Sequence, residues 1–380
     1  MRSFDYTQDL KIAIVHDYLK EYGGAERVVE AIHDIFPDAP IFTAFYDPSG
    51  FGPHADRVKK WDIRTSFIQK LPFAKKLLSP FRVFAAMAFE SFDFSGFDVV
   101  ISSDSIYFAK AVITAPETLH IAYIHTPPRY LYGYATSFNY KKNPIIRILA
   151  EVANSYLRII DFETSQRPDI LIANSKNVVQ RIKKFYRRDA VIIYPPVDLE
   201  EFKVKSAKVK VEKGDYYLTL NRLWKSKGTD VVVKAASELN VPLKVVGEGP
   251  EMGNLKKIAG NLVEFLGNVT DEQRVKLFLE AKALITASEE EDFGINAVEA
   301  QAAGTPVIAI KAGGYLESVI EGKTGIFFSA ENPVQSLMEV LQIFDPSKFK
   351  AEDCRKQAEK FSKDRFKKEI LDLITKNLNH

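Results

Sequence analysis

Ten short apolar runs, rich in β-branched residues, divide this chain into two series of five. The first series is "KIAIVHD", "DVVISS", "HIAYIH", "DILIANS" and "AVIIYPP", between Lys11 and Pro196. The second is "DYYLTLN", "PLKVVGEG", "VEFLG", "ALITAS" and "PVIAI", between Asp215 and Ile310. Most show no period-two alternation, which is how strands buried on both faces of a parallel sheet read. Between them lie segments such as "GAERVVEAIHDIF" and "DEQRVKLFLEA", whose apolar residues recur at helical spacing. Strand and helix alternating twice over predicts two doubly wound α/β domains.

The length of 380 residues suits two domains of ordinary size. Between the two series, "YPPVDLEEFKVKSAKVKVEKGDYY" joins paired prolines to a lysine-rich, turn-prone stretch. The reading therefore assigns residues 1–198 to a first domain, 199–355 to a second and 356–380 to a C-terminal helical segment, within which "DRFKKEILDLITKNL" is amphipathic. A net charge of +2 gives no global field that would draw nucleic acid. The single cysteine, Cys354, has no intramolecular disulfide partner, as expected of a reducing cytoplasm. The N-terminal stretch, with Asp5 and Asp9, lacks the basic start and long apolar core of a signal peptide. No apolar run approaches the roughly eighteen residues that cross a bilayer. The expectation is a cytoplasmic protein, soluble or lying on a membrane.

Ligands of doubly wound sheets bind where strands end, so the polar residues that follow predicted strands are the candidates. After the first run, Gly23 and Gly24 in "EYGGAERVV" open a helix whose N-terminal amides suit an anion, although an ordinary turn would read the same way. In "NRLWKSKGTD", Arg222 and Lys227 flank a turn that leads into a helix, and two fixed cations suit a departing diphosphate. "VGEGPE" fails the dinucleotide-fingerprint spacing and reads as a strand-ending turn with a structural role. In "EEEDFGINAVEAQAAGTPVIA", a loop after a strand gives way to a helix stopped by Gly304. Glu291 falls in the loop and Glu299 inside the Ala-rich helix; carboxylates accept paired hydrogen bonds from vicinal hydroxyls. The amides around Phe293, Gly294 and Ile295 suit a phosphate. Glu289, Glu290 and Asp292 read as surface decoration.

Together and in this order, "GGAER", "NRLxxxKG" and Glu-x7-Glu on Glu291 and Glu299 resemble the retaining glycosyltransferases of the group one, or family four, type. The resemblance spans almost the whole chain and implies a GT-B fold: two Rossmann-like domains facing a cleft, with the last helix crossing back to the first domain. It implies that Arg222 and Lys227 bind the donor diphosphate, Glu299 the ribose and Glu291 the sugar hydroxyls, with Gly24 near the phosphate or the acceptor. His125, in "YIHTPPRYLYG", matches the family's histidine beside the donor sugar, and Asp17 is a weaker candidate for acceptor contact. No D-x-D triplet occurs, so no essential metal or other cofactor is expected beyond the nucleotide sugar as co-substrate. Transfer with retention would proceed by front-face attack, the leaving phosphate taking the acceptor's proton.

The segment Arg57–Phe89 carries eight Arg/Lys and one Asp, with Trp61, Phe67, Phe73, Phe81, Phe84 and Phe89 interleaved. Basic and aromatic residues together suit an anionic lipid surface, whereas a core role for the aromatics is the alternative. "SKNVVQRIKKFYRR" adds a second basic stretch. The first half looks most like bacterial mannosyltransferases of O-antigen assembly, which implies GDP-mannose, a lipid-linked glycan acceptor and a peripheral place on the cytoplasmic face of the inner membrane. A UDP-sugar transferase, a sugar-nucleotide epimerase and a non-catalytic GT-B-like subunit are the competing readings; a dehydrogenase lacks its fingerprint.

Overall fold

The computed structural model describes residues 10–134, 144–202 and 214–378. Asp5, Asp9 and the lysine-rich residues 203–213 of the expected boundary lie outside them. The described residues form two compact units. The chain leaves the first after Pro196 and returns to it at Asp364.

The first unit is built on a parallel sheet of seven strands: β1 (Ile12–His16), β2 (Ile41–Thr43), β3 (Ile63–Thr65), β4 (Val99–Asp104), β5 (Leu119–Ile124), β6 (Ile170–Ala173) and β7 (Val191–Ile192). Successive side chains of β1 point to opposite faces. Ile12 and Ile14 join one core, with Val28, Ile32, Ile101 and Ile121, while Ala13 and Val15 join another, with Phe42, Val100 and Phe108. Both faces are covered, which explains the missing alternation in the sequence. β2 and β3 were not among the expected strands. Each has three residues, β2 follows Pro40, and β3 is an edge strand carrying exposed Arg64.

The helix Lys363–Leu378 supplies Phe366, Ile370 and Ile374 to the first of these cores. Spaced by four, they share one helix face. Burying each contributes about 1.5–3 kcal/mol. Arg365 ties the start of this helix to the carbonyl of Tyr194 at 2.7 Å. The helix before it, Ala351–Glu359, stays with the second unit and buries Cys354 and Ala358 there.

The second unit holds six parallel strands: β8 (Tyr217–Leu220), β9 (Leu243–Val246), β10 (Val263–Gly267), β11 (Leu284–Thr286), β12 (Val307–Ile310) and β13 (Gly325–Phe328). The fold is the expected α/β arrangement of two Rossmann-like sheets, with β13, like β2 and β3, outside the ten expected strands. The spatial order is β3-β2-β1-β4-β5-β6-β7 in the first sheet and β10-β9-β8-β11-β12-β13 in the second. Strand order reverses between β1 and β4, and again between β8 and β11. Loops leaving the carboxyl ends of such strands diverge to opposite sides and open a crevice. The candidate residues flank these two switch points.

Candidate active site

In the second unit, the loop after β8 runs from Asn221 to Gly228 and enters the helix Thr229–Glu238. Gly228 has φ 64°, and a Cβ there would lie 2.2 Å from the carbonyl oxygen of Ala287. Only glycine lets this loop press so closely against the end of β11. The loop after β11 ends at Gly294, with φ 85°, and the helix Ile295–Ala302 follows. One ion pair joins the two loops: Lys227 Nζ lies 2.7 Å from Glu291 Oε2, with both side chains mostly buried.

Glu291 is gripped from a third loop, after β12. The amide of Gly314 donates to its carbonyl at 2.9 Å, and a Cβ on Gly313 would lie 2.4 Å from the same oxygen. The Tyr315 hydroxyl, bonded to Thr286 Oγ1, lies 3.5 Å from Glu291 Oε2. Phe293 is buried against Phe361, ring centroids 5.2 Å apart, so its side chain anchors the loop while its backbone borders the switch point. Asn296 Nδ2 donates to the Leu220 carbonyl at 2.5 Å and fixes the helix start to β8.

Glu299 is 3% exposed, and its Oε1 meets Arg274 Nη1. Arg274 also reaches Glu201 at 2.8 Å and Asp271 at 3.4 Å. Burial works against the guanidinium's charge, but Glu299, Glu201 and Asp271 outweigh it and hold its pKa above the usual value. Glu299 is thus a fixed carboxylate with a cationic partner. Arg222 is exposed, its guanidinium 5.9 Å from the centre of the Trp224 ring. Cβ atoms on Gly247 and Gly249 would collide with the carbonyls of Asn221 and Leu223, so the "VGEGPE" glycines press against the loop that carries Arg222.

In the first unit, His16 ends β1 opposite Ser103 of β4, and His125 follows β5. His125 Nε2 lies 2.8 Å from Ser103 Oγ, and His16 Nδ1 lies 3.1 Å from the same oxygen. His16 Nε2 faces Glu26 Oε1 at 3.6 Å. Burial lowers the pKa of His125 to about 4, with help from the nearby His16. For His16, burial also works to lower the pKa, but Glu26 and Asp17 outweigh it and leave it raised.

One expectation for this unit changes and another gains a structural role. The Gly23 amide is not open to an anion: it donates to Glu26 Oε2 at 2.8 Å, so Gly24 is the first glycine of the pair whose amide is in question. The carboxylate of Asp17, 2% exposed, accepts from the amides of Ser105, Ile106 and Ala109 and from the Ser105 hydroxyl. Three of these donors meet Oδ2 and one meets Oδ1. Asp17 anchors the loop after β4, and this structural role stands beside the acceptor contact expected of it.

The aromatics of Arg57–Phe89 divide. Phe89 is buried, and Trp61 and Phe81 pack against the two cores. Phe67, Phe73 and Phe84 remain exposed beside Lys70, Lys75 and Lys76.

Sequence reading missed Arg274, Tyr315, Gly313, Gly314, Glu26 and Ser103. Gly313-Gly314 followed by an aromatic, after a predicted strand, was the available signal. Arg274 lies mid-helix, 25 residues from Glu299, and nothing in its spacing marks the pairing.

Residues 22–201 match the family described as Glycosyltransferase Family 4, and residues 200–361 match Glycosyl transferases group 1. An uncharacterized glycosyltransferase of Methanocaldococcus jannaschii is 26% identical over 51% of this chain and 56% of its own length. A D-inositol 3-phosphate glycosyltransferase of Corynebacterium urealyticum is 27% identical over 59% of this chain and 63% of its own. The match thus spans less than two thirds of either relative. Among solved structures, Anabaena HepE in complex with UDP and glucose superposes with a TM-score of 0.69 at 19% identity, covering 96% of this chain and 99% of that one. Sucrose-phosphate synthase of Thermosynechococcus elongatus gives 0.70 at 16% identity, covering 97% and 99%.

Proposed function

We propose that this chain, whose residues 22–201 match Glycosyltransferase Family 4 and residues 200–361 match Glycosyl transferases group 1, is a glycosyltransferase that moves a hexose from a nucleoside-diphosphate sugar to a glycan or lipid-linked acceptor with retention. The observation that carries the reading is the Lys227–Glu291 pair, which draws two switch-point loops together in the same unit where Arg274 fixes Glu299. A bare carboxylate would repel a diphosphate; Lys227 neutralises Glu291 and keeps both groups ordered before the donor arrives. On binding, Lys227 and Arg222 stabilise the charge that grows on the leaving diphosphate, without a metal ion. Glu291 accepts from sugar hydroxyls, Glu299 from the ribose diol, and the amides of Phe293, Gly294 and Ile295 meet phosphate. Gly24 and His125 are the first unit's contacts to substrate.

The sequence pattern of the first half favours GDP-mannose as donor and a glycan of the cell surface as product. A UDP-sugar is the second reading, favoured by the likeness to HepE, whose structures hold UDP, UDP-glucose or glucose. The acceptor's lipid anchor would lie at a membrane surface facing Phe73, Phe84 and Met87, which are 71%, 43% and 57% exposed. Lys70 and Lys76 near them suit anionic headgroups, whereas Lys75 is already paired with Asp47 at 2.6 Å. No described helix is long and apolar enough to cross a membrane.

The test is a donor panel of GDP-, UDP- and ADP-hexoses with EDTA present, with products identified by mass spectrometry. A new glycosidic bond supports transfer. Loss of turnover that only added metal restores would remove the metal-free diphosphate site. Conversion of the donor to its epimer, or no consumption of any donor, would overturn the reading.

A further inference from the structure

The contacts around His125 have a direction that can be worked out. The Ser103 carbonyl only accepts, and His16 Nδ1 lies 3.2 Å from it, so His16 carries its proton on Nδ1. On the other side of the ring the Glu26 carboxylate, also only an acceptor, faces Nε2 at 3.6 Å and favours a proton there too. Glu26 is itself held: its second oxygen accepts the Gly23 amide. The His16 Nδ1–H is shared between the Ser103 carbonyl and Ser103 Oγ, 3.1 Å away. The Ser103 hydroxyl therefore receives on the His16 side and sends its own hydrogen to His125 Nε2, 2.8 Å away. A ring nitrogen that accepts in a neutral imidazole leaves the other as the donor.

We infer that Glu26, His16 and Ser103 form a directed hydrogen-bond chain that holds His125 in its Nδ1–H tautomer, making it a fixed hydrogen-bond donor and not a proton acceptor. The three are positioning residues; they act through His125. The charged and titratable groups that face His125 are His16 and Asp17 from β1 and its end, Glu26 from the helix Gly24–Ile35, and Tyr123 from its own strand β5, the two rings 5.1 Å apart. A cationic His16 keeps a second positive charge off His125, while Glu26 and Asp17 oppose that effect. Burial is the larger influence and acts in the same direction as His16, so His125 stays neutral near pH 7. The consequence for catalysis rests on the transferase reading: His125 would donate to a sugar oxygen, and the leaving phosphate, not this ring, would accept the acceptor's proton.

The test is imidazole nitrogen NMR on the full chain, with His125 and His16 assigned through His125→Gln and His16→Gln. The expected wild-type spectrum at neutral pH shows His125 protonated on Nδ1 by about tenfold or more over Nε2, the ratio one buried hydrogen bond of ordinary strength produces. Ser103→Ala should erase that preference, and Ser103→Thr, which keeps the hydroxyl, should restore it. Glu26→Gln should lower the His16 pKa, and it should raise that of His125 because losing the His16 cation outweighs losing the smaller, opposing influence of Glu26 itself. If Ser103→Ala does not fold, the Glu26→Gln titration decides alone. An Nε2–H or cationic His125 in the wild type, or a His125 that ignores both changes, overturns the inference. These signatures need no activity, so a failed donor assay leaves them intact. If transfer is measured, the losses from Ser103→Ala and His125→Gln should be less than additive.

Discussion

Arg274→Leu removes the guanidinium that Glu299 meets inside the second unit, and the size of the loss follows from burial. Glu299 is 3% exposed, so the guanidinium it loses sits where little water can take its place. Removing one partner of a buried pair costs about 3–5 kcal/mol. The side chains of Glu201 and Asp271, at 20% and 24% exposed, keep more solvent, and their loss of Arg274 adds little. In a domain of this size each kcal/mol moves the midpoint by about 2–4 °C, so the unit should melt roughly 10 °C lower. Of the two tryptophans, Trp61 belongs to the first unit and Trp224 to the second. Urea unfolding read by fluorescence in a Trp61→Phe background therefore reports the second unit. Adding Glu299→Gln to Arg274→Leu should recover part of the loss, since a buried amide is cheaper than a buried charge. A loss below about 1 kcal/mol, or a double variant no better than the single one, would refute the claim that Arg274 holds Glu299 as a fixed anion.

Three other outcomes are expected. Glu291→Gln and Lys227→Ala should each lower turnover by about a hundredfold or more in the donor assay, the usual loss of one electrostatic contact to a developing charge; near wild-type rates would remove that residue from the mechanism. His125 titrates near 6.5 unfolded and about 4 folded, so the unfolded state binds its proton first and stability is lost as pH falls from 6.5 towards 4. This amounts to roughly 3 kcal/mol, and the difference between wild type and His125→Gln in urea melts at pH 7 and pH 4.5 should show most of it. Flotation with vesicles should recover the protein with anionic but not neutral lipid, and Phe73→Ser with Lys76→Glu should abolish it; equal recovery of variant and wild type would show that this surface does not bind lipid.

The double alternation of strand and helix was legible because parallel strands covered on both faces need unbroken apolar runs. β2 and β3 were not, because three residues beside a proline or at a sheet edge carry too little pattern. Glu291 and Glu299 stood out through the glycines and alanines around them. Their partners did not: Lys227 was visible as a cation, but only the fold brings it to Glu291. Arg274 reads as one charge among several on an amphipathic helix. The structural role of Asp17 was hidden for a related reason. Its place after β1 fits a substrate contact equally well, and only the geometry reveals that four donors of the β4 loop already occupy it. In Arg57–Phe89 the sequence counted aromatics, but which of them turn inward depends on short helical turns with no regular period.

Under the proposed function, Lys227, Arg222 and Glu299 of the second unit would hold a nucleoside diphosphate without a metal. The most direct measurement is unfolding of the wild type, Lys227→Ala and Glu299→Gln in saturating GDP, UDP or ADP with EDTA. A ligand at a hundred times its Kd stabilises by about 2.7 kcal/mol. The account predicts that shift in the wild type with one nucleotide, GDP first, and its loss in both variants. No shift with any nucleotide, or an equal shift in wild type and variants, would contradict it.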